Sequence, residues 1–229
     1  MEIQSTPAIT VLFALPDEAR AFCKTEVSKS VRVHISGVGA KKTQKAVETL
    51  FPHPSEQALL LIVGFAGGLS GSLPVGSLIV AESVVNPLAL HKELKSDSLL
   101  LAQAEAVQLT GVTKVQGKLV TVPNVLTTVA EKKVCAQNTG AIAVDMETFA
   151  GVQAAQARGV RCLAVRVITD GVDDTLPLDF NALSNAQGEP DRGKIVAHIL
   201  LRPWKIPALI RLGTRSAKAA NHLAQFLEV

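Results

Sequence analysis

Four carboxylates draw attention by where they fall. Glu18 lies three residues beyond an apolar run at 9–15. Asp145 and Glu147 bracket Met146 in AVDMETFAGVQAAQARG, where a short apolar stretch gives way to a helix sequence. Asp170 follows Thr169 at the end of a β-branched run. An acid fixed just past a buried strand can orient or deprotonate a water, accept from a sugar hydroxyl, or hold a proton for a leaving group. Each has a plainer reading too. Asp145 suits an N-cap, and Glu147 suits a first helical turn, where the dipole that favours its charge equally suits it to grip hydroxyls. Glu18 also fits as a first-turn helix acid, and Asp170, before Gly171, as the start of a turn. Asp173 and Asp174 read as solvated or capping residues.

What positions these acids is an alternation of strands and helices. Short runs rich in Val, Ile and Leu at 9–15, 31–35, 58–63, 77–85, about 115–122, 142–144 and 162–168 read as strands. Between them, helices are expected over about 17–26, after Gly37-Val38-Gly39 with Val38, Ala46, Val47 and Leu50 on one face, over 97–109, over 128–137, and from the AVDMET segment onward. The third strand is apolar throughout, as a strand covered on both faces is. The pattern predicts an α/β fold: a single domain over 1–229 with a mixed, mostly parallel central sheet between helices in three layers. In open α/β sheets, ligands bind beyond the carboxyl ends of strands. Glu18, the glycine-rich turn expected at Gly64-Phe65-Ala66-Gly67-Gly68, the Asp145/Glu147 pair and Thr169-Asp170 all gather on that rim.

Bulk properties exclude several classes. A chain of 229 residues with 48% hydrophobic and 19% charged residues is too apolar for disorder and long enough to bury one core. A net charge of +3 and an aromatic content of 3% with no Tyr leave neither a concentrated basic face nor stacking platforms, so no nucleic-acid partner is expected. Cys23, Cys135 and Cys162 are odd in number and far apart, and the five histidines are scattered; no metal site, disulfide or cofactor is expected, only buried reduced thiols in a cytoplasmic protein. No apolar run is long enough to span a bilayer, and the N-terminus lacks a signal-peptide pattern. Gly37-Val38-Gly39 continues to Lys42 where a dinucleotide fingerprint needs glycine, and no P-loop, G-x-S-x-G elbow or HExxH occurs.

Taken together, GFAGGL, AVDMET and VRVITD resemble the nucleoside phosphorylase and nucleosidase superfamily, whose members cleave N-glycosidic bonds. The pattern is most similar to the branch that hydrolyses 5′-substituted adenosines such as methylthioadenosine. The resemblance implies Glu18 as the acid that positions or activates water. It implies Glu147 as acceptor from the ribose 2′- and 3′-hydroxyls, with Met146 packed on the sugar. Asp170 would protonate or hydrogen-bond N7 of the departing purine, beside Thr169. Phe65, Ala66 and Gly67 would lie near the nucleophile, and Val125 and Leu126 along the base. For that role Asp170 must hold or share a proton near neutral pH, which calls for burial or neighbouring acids.

Departures from the family pattern are informative. Phosphorolytic relatives often carry a phosphate-binding arginine where Ile62 stands, and Arg166 is expected to point into or across the sheet from mid-strand, so water is favoured as nucleophile. Val122-Pro123 replaces a usual Gly-Asp, and Val125 stands where nucleosidases place an aromatic on the purine. The tail, DRGKIVAHILLRPWKIPALIRL, resembles the hopanoid-associated members, which are thought to release adenine from adenosylhopane. Two helices separated around Pro203 and Pro207 are expected in a basic helical extension over 190–229. Ile199, Leu200, Trp204, Ile206, Leu209 and Ile210, mixed with Arg192, Lys194, Arg202, Lys205 and Arg211, would flank a lipid substrate or touch an anionic membrane; alternatively they cover the sheet with cations facing solvent. A homo-oligomer is implied by the family likeness. The alternatives left open are a methylthioadenosine/adenosylhomocysteine nucleosidase, a phosphate-dependent phosphorylase and a non-catalytic nucleoside-binding protein.

Overall fold

The computed structural model describes residues 9–89, 92–183 and 202–228. His91, Arg192, Lys194, His198, Ile199 and Leu200 lie outside the described residues, as does the first of the two expected tail helices. Eight strands form one mixed sheet: β1 Ile9–Phe13, β2 Arg32–Ile35, β3 Leu59–Gly68, β4 Leu78–Val85, β5 Glu93–Lys95, β6 Lys114–Thr121, β7 Ala143–Asp145 and β8 Arg161–Asp170. The helices are α1 Pro16–Ala19, α2 Ala40–Leu50, α3 Ser98–Ala106, α4 Val129–Thr139, α5 Thr148–Gln156 and α6 Ile206–Leu227.

The strand order is β2-β1-β3-β7-β6-β4-β5, and β8 pairs with both β3 and β4. It runs parallel to β3 and antiparallel to β4, while β7 joins β3 to β6. Strands β3, β8, β4, β6 and β7 therefore close on one another, a departure from the open sheet expected. Side chains alternate across this frame with the period of two that strands impose. Leu12, Leu60, Ile62, Ile79 and Ala164 pack against Ala46 and Val47 of α2 and Phe149, Val152 and Ala155 of α5. Val11, Phe13, Val63, Val80 and Val165 pack against Ala19, Leu100, Ala104, Ala219, Leu223 and Phe226 of α1, α3 and α6. The α/β/α layering is as expected.

Several expectations need correcting. Phe65, Ala66, Gly67 and Gly68 are not in a turn: β3 continues through Gly68, paired with β8 as far as Gly67 and Asp170. The helix expected over 17–26 ends at Ala19 and gives way to two 3-10 turns. There Phe22 is buried against Phe13, and Thr25, Ser28 and Ser30 bond their hydroxyls to nearby backbone, which competes with helix propagation. Pro207 does not separate two helices; it sits in the first turn of α6, where a missing N–H costs nothing. Strand β5, too short and polar to read from sequence, pairs with β4. Cys162 is buried, but Cys23 is exposed and Cys135 half-buried; all three are free thiols.

Candidate active site

The carboxyl ends of β1, β3, β7 and β8 open onto one cavity of about 1440 Å³. Glu18, Phe65, Ala66, Gly67, Val125, Leu126, Met146, Glu147, Thr169 and Asp170 all line it. The three acids thus lie at one place despite their separation in sequence.

Glu18 is the third residue of α1 and reaches back over the start of its own helix. Its Oε2 accepts from the N–H groups of Ala14 and Leu15 at 2.9 Å each, and its Oε1 accepts from Phe65 N–H at 2.7 Å. The helix-starting role and the site role therefore coincide: the bonds that satisfy the helix end also fix the carboxylate. Burial pushes this carboxyl above its ordinary 4.5, against the opposing pull of Arg166 and the three backbone donors.

Asp145 and Glu147 divide their labour. Asp145 closes β7 and accepts from Thr148 N–H at 2.9 Å, as a cap does. It also accepts from Thr121 Oγ1 at 2.6 Å and pairs with Arg166 Nη2 at 2.5 Å. Glu147 faces the cavity. Its Oε1 accepts from Gly39 N–H at 2.8 Å, and its Oε2 lies 3.8 Å from Arg166 Nη2. Burial raises its carboxyl to about 7; Arg166 and Gly39 oppose that rise, Asp145 and Glu18 add to it. Gly39, with φ of +99°, makes its donor available only because glycine tolerates that conformation. Val38, expected on a helix face, precedes α2 and lines the cavity.

Arg166 is the residue whose importance the sequence understated. It projects from mid-β8, is fully buried, and donates from Nε and Nη2 to Thr148 Oγ1 at 3.0 and 2.9 Å. Its Nη1 is buried with no hydrogen-bond partner among the described residues. A Cβ added at Gly64 would stand 2.5 Å from this Nη1 and 2.6 Å from Glu18 Oε1. Gly64 is thus the opening through which the arginine and the first acid face each other, a closeness no side chain permits. Glycine was legible here; its reason was not.

Asp170 ends β8. Its Oδ1 accepts from Thr169 Oγ1 at 3.0 Å. Asp170 is buried, one of the two surroundings called for, and its Oδ2 lies 2.5 Å from Nζ of Lys132, a fully buried lysine of α4. The wall around Val125 and Leu126 holds a further residue unremarked in the sequence. Asn181 donates to Val125 O at 3.0 Å and accepts from Val125 N–H at 2.9 Å, which fixes the 122–126 segment; its neighbour Phe180 lines the cavity.

A family model described as the phosphorylase superfamily matches residues 16–201. The chain belongs to the phosphorylase superfamily. No curated protein matches it at a significant level. Among solved structures, it is similar to a mutant Helicobacter pylori 5′-methylthioadenosine nucleosidase with 5′-methylthioadenosine in its active site: TM-score 0.71, 16% identity, 98% of this chain and 97% of that one covered. It is similar to the futalosine hydrolase of H. pylori (TM-score 0.70, 17% identity, 97% and 96% covered). It is also similar to the Streptococcus pneumoniae 5′-methylthioadenosine/S-adenosylhomocysteine nucleosidase, with a TM-score of 0.66, 18% identity and coverage of 96% and 98%. At such identities the fold is what is shared.

The far side of the cavity differs in character. Leu209, Leu212, Gly213, Ala217, Ala220 and Ala224 of α6 line it together with Ser216, Asn221, Gln225 and Glu228, so a mostly apolar arm of the cavity follows that helix. Trp204 and Ile210, 72% and 63% exposed, lie on the same stretch of chain. Among the described residues no cluster of ligands could hold a metal ion, and no helix is long and apolar enough to cross a membrane.

Proposed function

We propose that this protein is a purine nucleosidase that hydrolyses the N-glycosidic bond of a 5′-modified adenosine and releases adenine. The observation that carries it is the convergence of Glu18, Glu147 and Asp170 on one cavity, each acid held by different elements. Glu18 presents water to C1′, near Phe65, Ala66 and Gly67. Glu147 accepts from the 2′- and 3′-hydroxyls, and Met146 packs on the ribose. Asp170, flanked by Thr169, bonds N7 of the base, which lies between Val125, Leu126 and Phe180. As the ribosyl centre becomes cation-like, the buried carboxylates favour its charge.

Water, not phosphate, is the nucleophile. Arg166 is the guanidinium next to Glu18, and it is already shared among Asp145, Glu147 and Glu18. An incoming phosphate would meet an excess of negative charge. Arg20, on the cavity rim, pairs with Asp17.

The 5′-substituent is large and apolar, with adenosylhopane as the candidate. A cavity of about 1440 Å³ exceeds the roughly 300–1,000 Å³ usual for small-ligand sites, and α6 lines one side of it with Leu209, Leu212, Ala217, Ala220 and Ala224 among the polar Ser216, Asn221, Gln225 and Glu228. Exposed Trp204 and Ile210 beside that arm suit a protein that meets its substrate at a lipid surface on the cytoplasmic side. A homo-oligomer is part of this reading, as the family likeness implies.

One experiment tests the set. Adenine release is followed from 5′-thioadenosines bearing methyl, octyl and longer alkyl chains, with and without phosphate. Hydrolysis without phosphate, with kcat/KM rising at least tenfold along the series, is expected. Strict dependence on phosphate would reject water as nucleophile. A preference for the methyl substrate would instead favour a methylthioadenosine-type enzyme.

A further inference from the structure

Lys132 is a lysine buried behind the cavity wall. It does not line the cavity, yet its ammonium lies 2.5 Å from Asp170 Oδ2, 2.8 Å from Gly171 O and 2.9 Å from Asp174 O. Three acceptors surround one nitrogen. A neutral amine would aim its lone pair at one of them, so the arrangement calls for all three protons of an ammonium. Burying that charge is costly unless its partners are fixed. Here they are: Gly171 N–H donates to Asp174 Oδ2 at 2.9 Å, and Arg215 of α6 pairs with the same carboxylate at 2.9 Å. Among the described residues, the lysine's hydrogen bonds go only to Asp170 and the loop that follows it.

We propose that Lys132 is a positioning residue that shares with Asp170 the proton needed by the departing base, a role that rests on the nucleosidase reading above. An isolated Asp170 would have to carry that proton itself. The couple removes the requirement: the ammonium stores the proton, and the carboxylate conducts it. As the C1′–N9 bond breaks, its electron pair goes to the base. The proton passes from Lys132 through Asp170 to N7, so adenine leaves neutral. Water forms the new bond to C1′ and gives its proton to Glu18. Lys132 is left as an amine, and exchange with solvent restores both groups. One nucleoside and one water yield adenine and the free sugar.

The test compares two leaving groups on the same 5′-substituted ribose. Adenine needs a proton to depart; p-nitrophenolate does not. In Lys132→Met, adenine release should fall by about 10²-fold, within the range of positioned acid–base groups, while nitrophenolate release changes less than about fivefold. Equal losses on both substrates would mean a merely structural lysine, and no loss on either would end the idea. Because Lys132→Met strands a buried carboxylate, the Lys132→Met/Asp170→Asn double variant, which removes both charges, is compared with Asp170→Asn alone. Matching adenine rates are expected, since the lysine acts through the aspartate; a further tenfold loss would overturn that. A wild-type protein that releases neither leaving group rejects the nucleosidase reading itself, which separates the two failures.

Discussion

Replacing Glu147 by Gln probes the electrostatic frame of the site through the stability of the fold. An exposed glutamate ionises near 4.5, whereas burial, with help from Asp145 and Glu18, raises Glu147 to about 7 despite Arg166. Between those values the folded chain keeps a proton that the unfolded chain has released. The carboxyl is therefore tolerated without penalty below 4.5, and stability drains away as pH rises toward 7, where the folded state ionises too. Over that interval the loss amounts to about 3 kcal/mol. Glutamine preserves the size and keeps an oxygen for Gly39 N–H, but it cannot titrate. Urea unfolding of both proteins, from pH 5 to pH 8, should show the wild type losing about 2–3 kcal/mol relative to Glu147→Gln, the first part of the loss having occurred below pH 5. The comparison cancels most other titrating groups, since both chains share them. A difference that stays constant across the series would refute the claim that Glu147 sits in a site rich in buried negative charge.

Three further outcomes are expected. Gly64→Ala forces Glu18 and Arg166 apart, so adenine release should fall by more than about 10²-fold, with about 1–3 kcal/mol lost in urea unfolding; unchanged kinetics would mean the two groups need not meet there. Arg166→Leu leaves Asp145 and Glu147 buried without their cation and should cost about 3–5 kcal/mol; a loss below about 1 kcal/mol by the same measurement would show the cluster carries little weight. Burial, with Asp97 adding to it, pushes the Cys162 thiol up to about 12, so iodoacetamide at pH 8 should label exposed Cys23 and spare Cys162 until the chain unfolds, read by peptide mass spectrometry. Early labelling of Cys162 would contradict its burial.

What the sequence disclosed tracks what each residue type can disclose. Apolar runs fixed most strands because burial on two faces leaves a continuous signature, and acids past strand ends pointed to the rim of the sheet. The boundary at Gly64–Gly68 was misread because a glycine run looks like a turn in one dimension. In three dimensions it is strand thinned to admit Glu18, Arg166 and Asp170. Arg166 looked like a mid-strand residue crossing the sheet, and its partners, Asp145 and Glu147, come from another element. Lys132 was silent for a plainer reason. A lysine in a polar helix normally faces water, and here the backbone carbonyls of Gly171 and Asp174 and the Asp170 carboxylate turn it inward. Phe180, beyond the last clear strand, lies where polar composition suggested only a loop.

The closure of β3, β8, β4, β6 and β7 on one another bears on how such a protein can diversify. Two of the reactive acids sit at the ends of strands locked into that ring or directly after one, and the third is tethered to β3 by its bond to Phe65 N–H. In the nucleosidase reading proposed above, bond cleavage is thus bolted to a frame with no free edge at which to slide. The arm that would read the rest of the substrate belongs to α6 and to the segments around Leu126 and Phe180, which lie outside the ring. New specificities can be tried there, by exchanging a helix face or a loop, while the scissile geometry stays untouched.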